Sequence, residues 1–190
     1  MGRLIVQEFV SLDGFAADAD NRFAFIDTDS VPTVELDRDT LEGLASVDAI
    51  VLGAATYRMF AQYWPTAASA AELLAPRINE LPKFVVSRRL DVAPWGGFAD
   101  ATVISDDAGD AIRRLKGEVA GDLMLWGSLT LLERLVDDDL VDVLRLVVVP
   151  AVLGAGRSVF PPTFAGTRLV LERAVVFDAQ LVAVEYSIAH

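Results

Sequence analysis

Two stretches of the sequence place a glycine and hydroxyl residues between a short apolar run and an amphipathic segment. They are IVLGAATY, residues 50–57, and LMLWGSLT, residues 123–130. Each predicts a buried strand that turns, at Gly53 or Gly127, into the first turn of a helix. A helix N-terminus offers unpaired backbone N–H groups and the positive end of the helix dipole, which together bind phosphate. Three hydroxyls would add hydrogen-bond donors there, those of Thr56, Ser128 and Thr130.

The alternative to phosphate binding is that these two strand-to-helix connections, here called the glycine joints, have only a structural role. Glycine is common in tight turns, Ser128 could serve only as a helix N-cap, and Thr130 with Glu133 fits a capping box. The sequence contains neither a full G-x-G-x-x-G nor a G-K-[ST] motif, so the common dinucleotide and P-loop fingerprints do not apply. Two matching joints in one sheet nevertheless favour a ligand, because ligands collect beyond the carboxyl ends of parallel strands.

A third joint supplies positive charge. In VVSRRL, residues 85–90, a predicted strand ends at Ser87 and is followed by Arg88 and Arg89. The planar guanidinium group binds phosphate through two parallel hydrogen bonds. The position after a strand puts this pair at the same sheet edge as the glycine joints, although a solvated arginine pair at a strand end would have the same sequence.

A fourth stretch, SLDGF at residues 11–15, follows the first predicted strand. Asp13-Gly14 is a favoured turn dipeptide. A carboxylate on such a loop could bind a substrate, orient a water or relay a proton. On local grounds alone, an aspartate that only stabilises the turn is the simpler interpretation.

The composition excludes several kinds of chemistry. The chain has no cysteine and a single histidine, His190, so a thiolate nucleophile, a Ser-His-Asp triad and metal sites built from His or Cys are not expected. With 16 basic and 28 acidic residues, the formal net charge is −12, which repels nucleic acid and anionic membranes. We expect no bound metal, and an enzyme of this composition would rely on an organic cofactor.

The elements that must position these residues alternate between strands and helices. Apolar runs predict strands over residues 4–10, 49–53, 83–87, 100–104, 122–126 and 141–149. Helices are predicted over residues 33–46, 54–64, 68–80, 106–119 and 128–137. Such alternation is typical of an α/β fold with a mainly parallel sheet. Residues 168–189 instead predict a hairpin with its turn near Asp178, Ala179 and Gln180, which adds antiparallel pairing.

The 190 residues therefore predict a single domain of the α/β class. We expect a three-layer sandwich, with a mixed, mainly parallel central sheet flanked by helices and a C-terminal antiparallel hairpin. No apolar stretch approaches the ~18 residues that a membrane span needs. The first residues predict a strand rather than a signal peptide, so a cytoplasmic location is expected.

Taken together, the four stretches resemble the dihydrofolate-reductase-like reductases, and especially the reductase domain at the C-terminus of the bifunctional riboflavin-biosynthesis deaminase-reductase. The matching pieces appear in the family's order across residues 4–160: SLDGF, LGAATY, KFVVSRRL, WGSLTLLERLVDDDLVD and RLVVVPAVLGAGRSVF. No single piece is specific, but the ordered set is. The resemblance implies NADPH-dependent reduction of 5-amino-6-(5-phosphoribosylamino)uracil, or of a related polar heterocycle, small carbonyl or imine.

The resemblance also implies roles for individual residues. One group would contact the adenosine half of NADPH and its phosphates: Gly53, Thr56 and Tyr57. A second would face the adenosine 2′-phosphate: Ser87, Arg88 and Arg89. A third would hold the pyrophosphate: Gly127, Ser128, Leu129 and Thr130. The loop that begins at Ser11 and contains Gly14 would border the nicotinamide, and on it Asp13 would be the catalytic residue that orients the substrate or a water.

The sequence departs from the family pattern at two places. The family commonly has G-R-x-T at the first joint, and Ala54 stands where the arginine would be, so Arg88 or Arg89 would have to supply the lost charge. Dihydrofolate reductases also hold the pterin with a helix carboxylate. Three residues of the first predicted helix are candidates for that role: Glu35, Asp37 and Asp39.

Other functions and an assembly state remain open at this point. The chain could be a dihydrofolate reductase proper, or a protein that binds a nucleotide or a flavin without turnover. A homodimer is expected, because the related reductases associate and VLRLVVVPAVL, residues 143–153, is apolar enough for a shared sheet edge or face. A central strand buried within one subunit would have the same composition.

Overall fold

The computed structural model describes residues 2–23, 25, 33–177 and 180–189. Asp178 and Ala179 of the predicted turn, and His190, lie outside these described residues. The strands are β1 (Leu4–Ser11), β2 (Phe15–Ala17), β3 (Val47–Gly53), β4 (Lys83–Val86), β5 (Thr102–Ile104), β6 (Asp122–Trp126), β7 (Val143–Val149), β8 (Arg157–Ser158), β9 (Leu169–Phe177) and β10 (Leu181–Ile188). The helices are α1 (Thr33–Gly43), α2 (Ala54–Tyr63), α3 (Ala75–Glu80), α4 (Ala108–Glu118) and α5 (Leu129–Asp137).

Eight strands form one sheet in the order β5-β4-β3-β6-β1-β7-β10-β9. The six strands from β5 to β7 are all parallel, whereas β10 pairs antiparallel with both β7 and β9. The mixed, mainly parallel sheet and the C-terminal hairpin predicted from the sequence are thus confirmed. A second sheet of β2 and β8 was not predicted, because strands of three and two residues are too short to show an alternating pattern.

The sheet separates two apolar cores, which is why its central strands are apolar on both faces. All five residues of β6 are buried. On one face Ile112 of α4 and Leu132 of α5 pack against the sheet. On the other face Tyr57 of α2 and Ile78 of α3 do so. Within the described part of the chain, no helix has the length and apolar character that crossing a membrane requires.

The prediction of one helix over residues 68–80 was wrong in its first half. Residues 67–69 form a 3₁₀ turn, and α3 begins only at Ala75, with Pro76 in its first turn. Proline has no backbone N–H and clashes with a preceding helical turn, so it begins a helix rather than continuing one.

The apolar strand considered for a subunit interface lies inside the sheet. β7 is hydrogen-bonded on both sides, to β1 and β10, and six of its seven residues are buried. β7 is thus a central strand buried within one subunit, and it offers no free sheet edge to a second subunit. A homodimer remains a prediction and would need another surface.

A group of four charges, of which Asp39 and Arg145 are buried, ties α1 to the C-terminal strands. Asp39 of α1 accepts hydrogen bonds from Arg145 of β7 and Arg173 of β9. Glu185 of β10 lies 3.5 Å from a guanidinium nitrogen of each arginine. Burial acts to raise the pKa of Asp39, but the hydrogen bond from Arg173 and the two positive charges lower it overall. Asp39 is therefore an ionised partner in this network, which fixes where α1 sits.

Candidate functional site

The two glycine joints pack against each other at the carboxyl ends of the neighbouring strands β3 and β6. A Cβ atom on Gly53 would collide with the side chain of Ser128, and one on Gly127 would lie 2.6 Å from Oγ1 of Thr56. Gly127 also has φ +62°, a conformation that residues with a side chain rarely adopt. Both glycines are thus required by the packing of the joints, before any ligand is considered.

Ser128 combines a structural role with backbone strain. It is the N-cap of α5, and its hydroxyl accepts a hydrogen bond from the backbone N–H of Leu131 at 3.4 Å. The N-cap alternative is therefore confirmed for this residue. It also has φ +65° in the left-handed region, and strain of this kind in a residue other than glycine concentrates at functional sites.

Thr130 does not form the capping box that its spacing to Glu133 suggested. Its hydroxyl instead accepts a hydrogen bond of 2.7 Å from the guanidinium of Arg157, next to β2 in the small sheet. Arg157, which lies in the RLVVVPAVLGAGRSVF stretch but was given no role there, thereby brings a positive charge to the first turn of α5.

A cleft of about 390 Å³ lies along this edge of the sheet. The starts of α2, α4 and α5 and the end of β4 form its walls. Five of the residues expected to bind the cofactor line it: Gly53, Ser87, Arg88, Ser128 and Thr130. The first turns of α2 and α5 open into the same cleft, so the structure brings together two helix N-termini and an arginine, a combination that suits a diphosphate.

Acidic residues share the cleft with Arg88. Asp107 caps α4 by accepting hydrogen bonds from the backbone N–H groups of Gly109 and Asp110, and it lies 3.4 Å from Arg134. The hydrogen bond from Asp110 and the charges of Arg134 and Arg88 lower the pKa of Asp107. Among the described residues, the exposed guanidinium of Arg88 has no hydrogen-bond partner, so its donors are available to a ligand.

Three of the other residues expected to bind the cofactor, Tyr57, Arg89 and Leu129, do not line the cleft. Tyr57 is a correction: its ring packs near Trp95 in the core and its hydroxyl donates to the carbonyl oxygen of Pro94 at 2.8 Å, so it does not reach the cleft. Arg89 is exposed outside the cleft lining, with its backbone N–H bonded to Ser87 Oγ. Leu129 packs its side chain against the core and leaves only its backbone at the helix start.

The loop after β1 is held together by Asp13. The carboxylate accepts hydrogen bonds from the Ser11 hydroxyl at 2.7 Å and from the backbone N–H groups of Leu153 and Gly154 at 3.1 and 2.8 Å. The Ser11 bond and the two backbone bonds lower the pKa of Asp13 to about 2. Gly14, at φ +83°, completes the turn. Asp13 thus joins two loops and is a poor proton donor at neutral pH.

A second cavity, of about 400 Å³, opens on the other side of the joints. Thr56 and Gly127 line it, and Trp126 of β6 forms part of its floor. The remaining walls are mostly aromatic and aliphatic: Phe9, Phe23, Leu36, Met59, Phe60, Trp64, Leu74 and Ile78. Because Gly53 and Ser128 line the cleft while Thr56 and Gly127 line the cavity, the paired joints form the boundary between the two.

Gln7 and Glu8 border this cavity from the middle of β1. Side chains alternate along a strand, so Gln7 shares the face of its parallel neighbour Trp126, and Glu8 shares the face of Val6 and Val10. Gln7 is 6% exposed and its Oε1 has no hydrogen-bond partner in the described part of the structure. Consecutive polar residues inside an apolar strand were the signal in the sequence that could have identified this site.

Glu8 is buried without a partner for its Oε1. Burial raises the pKa of Glu8 to about 8, although the charge of Arg157 acts in the opposite direction. The carboxyl group is therefore largely protonated at neutral pH.

Of the three candidate carboxylates of α1, Glu35, Asp37 and Asp39, it is Asp37 that faces the cavity. Burial and the nearby negative charge of Glu72 raise its pKa. Glu35 is exposed, and Asp39 belongs to the ion-pair network. Helical spacing alone could not choose among the three, because the choice depends on which side of α1 packs on the sheet. Nowhere in the described ranges do three or more histidine, aspartate or glutamate residues form a group that could hold a metal ion.

Comparison with known proteins agrees with this architecture. The model of a family described as the RibD C-terminal domain matches residues 3–183. Among curated proteins, YyaP of Bacillus subtilis (strain 168), described as uncharacterized, is 24% identical over 186 residues, which are 97% of this chain and 94% of that protein.

Two solved structures show the same fold. A protein from Shewanella sp. PV-4, provisionally assigned to riboflavin biosynthesis, is 20% identical and superposes with a TM-score of 0.78 over 99% of both chains. Dihydrofolate reductase from Enterococcus faecalis, solved in complex with NADP(H) and RAB-propyl, is 14% identical, with a TM-score of 0.63 over 100% of this chain and 98% of that one.

Proposed function

Because the chain belongs to the RibD C-terminal domain family, we propose that it is a reductase that uses NADPH to reduce a C=N or C=O bond in a small heterocycle, carbonyl or imine. The observation that carries the proposal is the arrangement around the paired joints. A cleft with two helix N-termini and an arginine meets a mainly apolar cavity at Thr56 and Gly127. One half suits the phosphates of a dinucleotide, and the other suits a flat substrate.

The residues of the cleft fit the cofactor. NADPH supplies a hydride when bound, which side chains cannot do. Backbone N–H groups at the starts of α2 and α5 would hold its diphosphate, and Gly53 and Gly127 keep those starts free of side chains. Arg88 would bind the 2′-phosphate through charge-assisted hydrogen bonds. Its role matters here because Ala54 supplies no charge at the first joint.

The residues of the cavity would position the substrate and its proton. Reduction adds a hydride to carbon and a proton to the nitrogen or oxygen of the double bond. Asp13 is unsuited to donate that proton, because its pKa is about 2. Asp37, whose pKa is raised by burial, is better suited to pass a proton from solvent. The apolar walls would keep bulk water from the reacting atoms.

Binding and turnover of nicotinamide cofactors test the proposal. NADPH should bind, more tightly than NADH, and it should be oxidised in the presence of at least one member of a panel of pyrimidines, dihydropterins and small carbonyls. Absence of NADPH binding at millimolar concentration would refute the proposal. Binding without oxidation of NADPH across the panel would favour a nucleotide-binding protein without turnover, and a yellow purified protein with flavin absorbance would favour a flavin-binding one.

Reduction of dihydrofolate is the second candidate. It is favoured by one observation, that Asp37 brings a helix carboxylate into the cavity. Oxidation of NADPH on addition of dihydrofolate, lost in Asp37→Asn, would support it. A rate with dihydrofolate no higher than the background rate without substrate would exclude it.

A further inference from the structure

The side chains around the cavity differ from what a phosphorylated substrate requires. Among the described residues, no lysine or arginine lines it, and its lining includes two carboxyl groups, those of Glu8 and Asp37. A phosphate that enters an apolar cavity must lose water, and without a cation nothing replaces that hydration.

A buried cation beside Gln7 does not change this picture. Arg145 lies beside Gln7 in the register of β1 and β7. It is bonded to Asp39 and lies near Glu185, and Arg173 completes a group of two positive and two negative charges. The group is neutral as a whole, so it offers little attraction to an anion. The field of Asp37, reinforced by Glu72, repels one.

The polar groups of the cavity match a different ligand. Oε1 of Gln7 is buried and without a described partner, so it can accept a hydrogen bond from a ligand N–H. Thr40 and Thr56 add hydroxyls, and Phe60, Trp64 and Trp126 offer flat apolar surface. Such a set binds a planar ring that carries amino or ring N–H donors.

From these observations we infer that the substrate is an unphosphorylated planar ring compound, neutral or cationic, and that Gln7 and Asp37 select it against phosphorylated ribosides. The inference rests on the proposed reductase function, and it separates this chain from reductases of the phosphoribosylaminouracil type. Gln7 would accept a hydrogen bond from the ring. Asp37 would pair with an amino group and repel a phosphate.

A matched pair of ligands tests the inference without turnover. The probes are 5-amino-6-ribosylaminouracil and its 5′-phosphate, titrated against the fluorescence of the full chain, in which Trp64 and Trp126 line the cavity. We expect the unphosphorylated compound to bind at least tenfold more tightly. Equal or tighter binding of the phosphate would overturn the inference. So would the lack of any response to the unphosphorylated compound at millimolar concentration.

Charge reversal in the cavity provides a second test. Asp37→Lys should shift the preference toward the phosphate by at least tenfold. Glu35→Lys is the matched control, because it makes the same charge change on the same helix at an exposed position outside the cavity. The control should leave the ratio of the two affinities within about twofold of the wild-type ratio. If both variants shift the ratio equally, the net field of the protein decides selectivity and the inference fails.

A third variant isolates the hydrogen bond. Gln7→Met keeps the size of the side chain and removes the acceptor, so it should weaken binding of the unphosphorylated probe about tenfold. NADPH affinity, measured separately, should stay near the wild-type value because Gln7 is outside the cleft. A wild type that binds the probe but not NADPH would refute the cofactor proposal alone. Unchanged probe affinity in Gln7→Met would refute the role of Gln7.

Discussion

A Cβ atom added to Gly127 would lie 2.6 Å from Oγ1 of Thr56, so the second glycine joint packs directly against the first helix start. We therefore expect Gly127→Ala to lower the free energy of unfolding by about 2–4 kcal/mol, from the left-handed backbone and the close contact together. Gly127→Val should destabilise the fold still more, so a loss of NADPH binding in that variant could not be assigned to the pyrophosphate contact.

The energetic cost of the contact can be separated from that of the backbone strain by introducing Gly127→Ala into a second, mutant background. In Thr56→Ala, where Oγ1 and Cγ2 are gone, Gly127→Ala should cost roughly half as much, because the backbone strain remains but the remaining contact is the looser one to Cβ of residue 56, at 3.3 Å. Urea unfolding of the four proteins gives the coupling. Equal losses in both backgrounds would show that the joints do not contact each other as described.

Arg88 should determine the preference for NADPH over NADH. Losing a charge-assisted hydrogen bond costs about 1.5–3 kcal/mol, so Arg88→Ala should weaken NADPH roughly tenfold to a hundredfold and NADH much less. Arg89→Ala is the control, since Arg89 is outside the cleft. Equal losses of both cofactors in Arg88→Ala, or a selective loss in Arg89→Ala, would contradict the assignment of the 2′-phosphate to Arg88.

Asp13 should act through the loop that it holds. Asp13→Asn keeps one acceptor oxygen and replaces the other with an NH₂ group, so amide exchange should accelerate at Leu153 or Gly154, whose N–H groups bond to different oxygens. The rate of reduction should fall while NADPH affinity stays nearly intact. Because the pKa of Asp13 is about 2, its ionisation should leave no limb in the pH–rate profile between pH 5 and 9. A limb that disappears in the variant would instead make Asp13 a participant in proton transfer.

Glu8 should make stability depend on pH. Its pKa is about 8 in the folded chain, against an ordinary value of 4.5. Between these values the folded state keeps a proton that the unfolded chain releases, so stability falls as pH rises, by up to ~1.4 kcal/mol per pH unit. The glutamine of Glu8→Gln cannot ionise, so the stability of this variant relative to the wild type should increase from pH 5 to pH 8.5.

Urea unfolding at three pH values would measure this effect. The exposed Glu35→Gln serves as the control and should follow the wild-type curve. If the difference between Glu8→Gln and the wild type were the same at pH 5 and pH 8.5, the carboxyl of Glu8 would be ionised in the folded protein.

The sequence predicted the sheet well because strands that are buried on both faces appear in it as continuous apolar runs. Strands such as residues 122–126 are buried on both faces, which a continuous run of apolar residues encodes. The pairing of Phe15–Ala17 with Arg157–Ser158 joins short segments that are far apart in sequence, and no local pattern records it. Likewise, the apolar composition of β7 could not distinguish a central strand from an exposed edge.

The sequence predicted the site residues that follow the ends of strands. It missed those that lie inside a strand or on one side of a helix. Gly53, Ser128 and Arg88 follow strand ends, and parallel topology brings strand ends together. The cavity instead takes Gln7 from inside a strand and Asp37 and Thr40 from one side of a helix. Their meeting depends on how α1 packs on the sheet. That packing involves Arg145 and Arg173 and the buried apolar residues that cluster with Leu36, all far away in the sequence.

The bond between Asp39 and Arg173 closes a loop of 134 residues, and this has a consequence for how the molecule folds. Contacts between distant parts of a chain form slowly, because the chain loses the entropy of loop closure before the contact contributes any stabilisation. The helix that carries Asp37 lacks its contacts to Arg173 and Phe177 of β9 and to Leu181 of β10 until these strands have docked, so an intermediate without them would have its central sheet but a looser cavity wall. Competence to bind substrate should therefore appear last during refolding, after most of the secondary structure has formed.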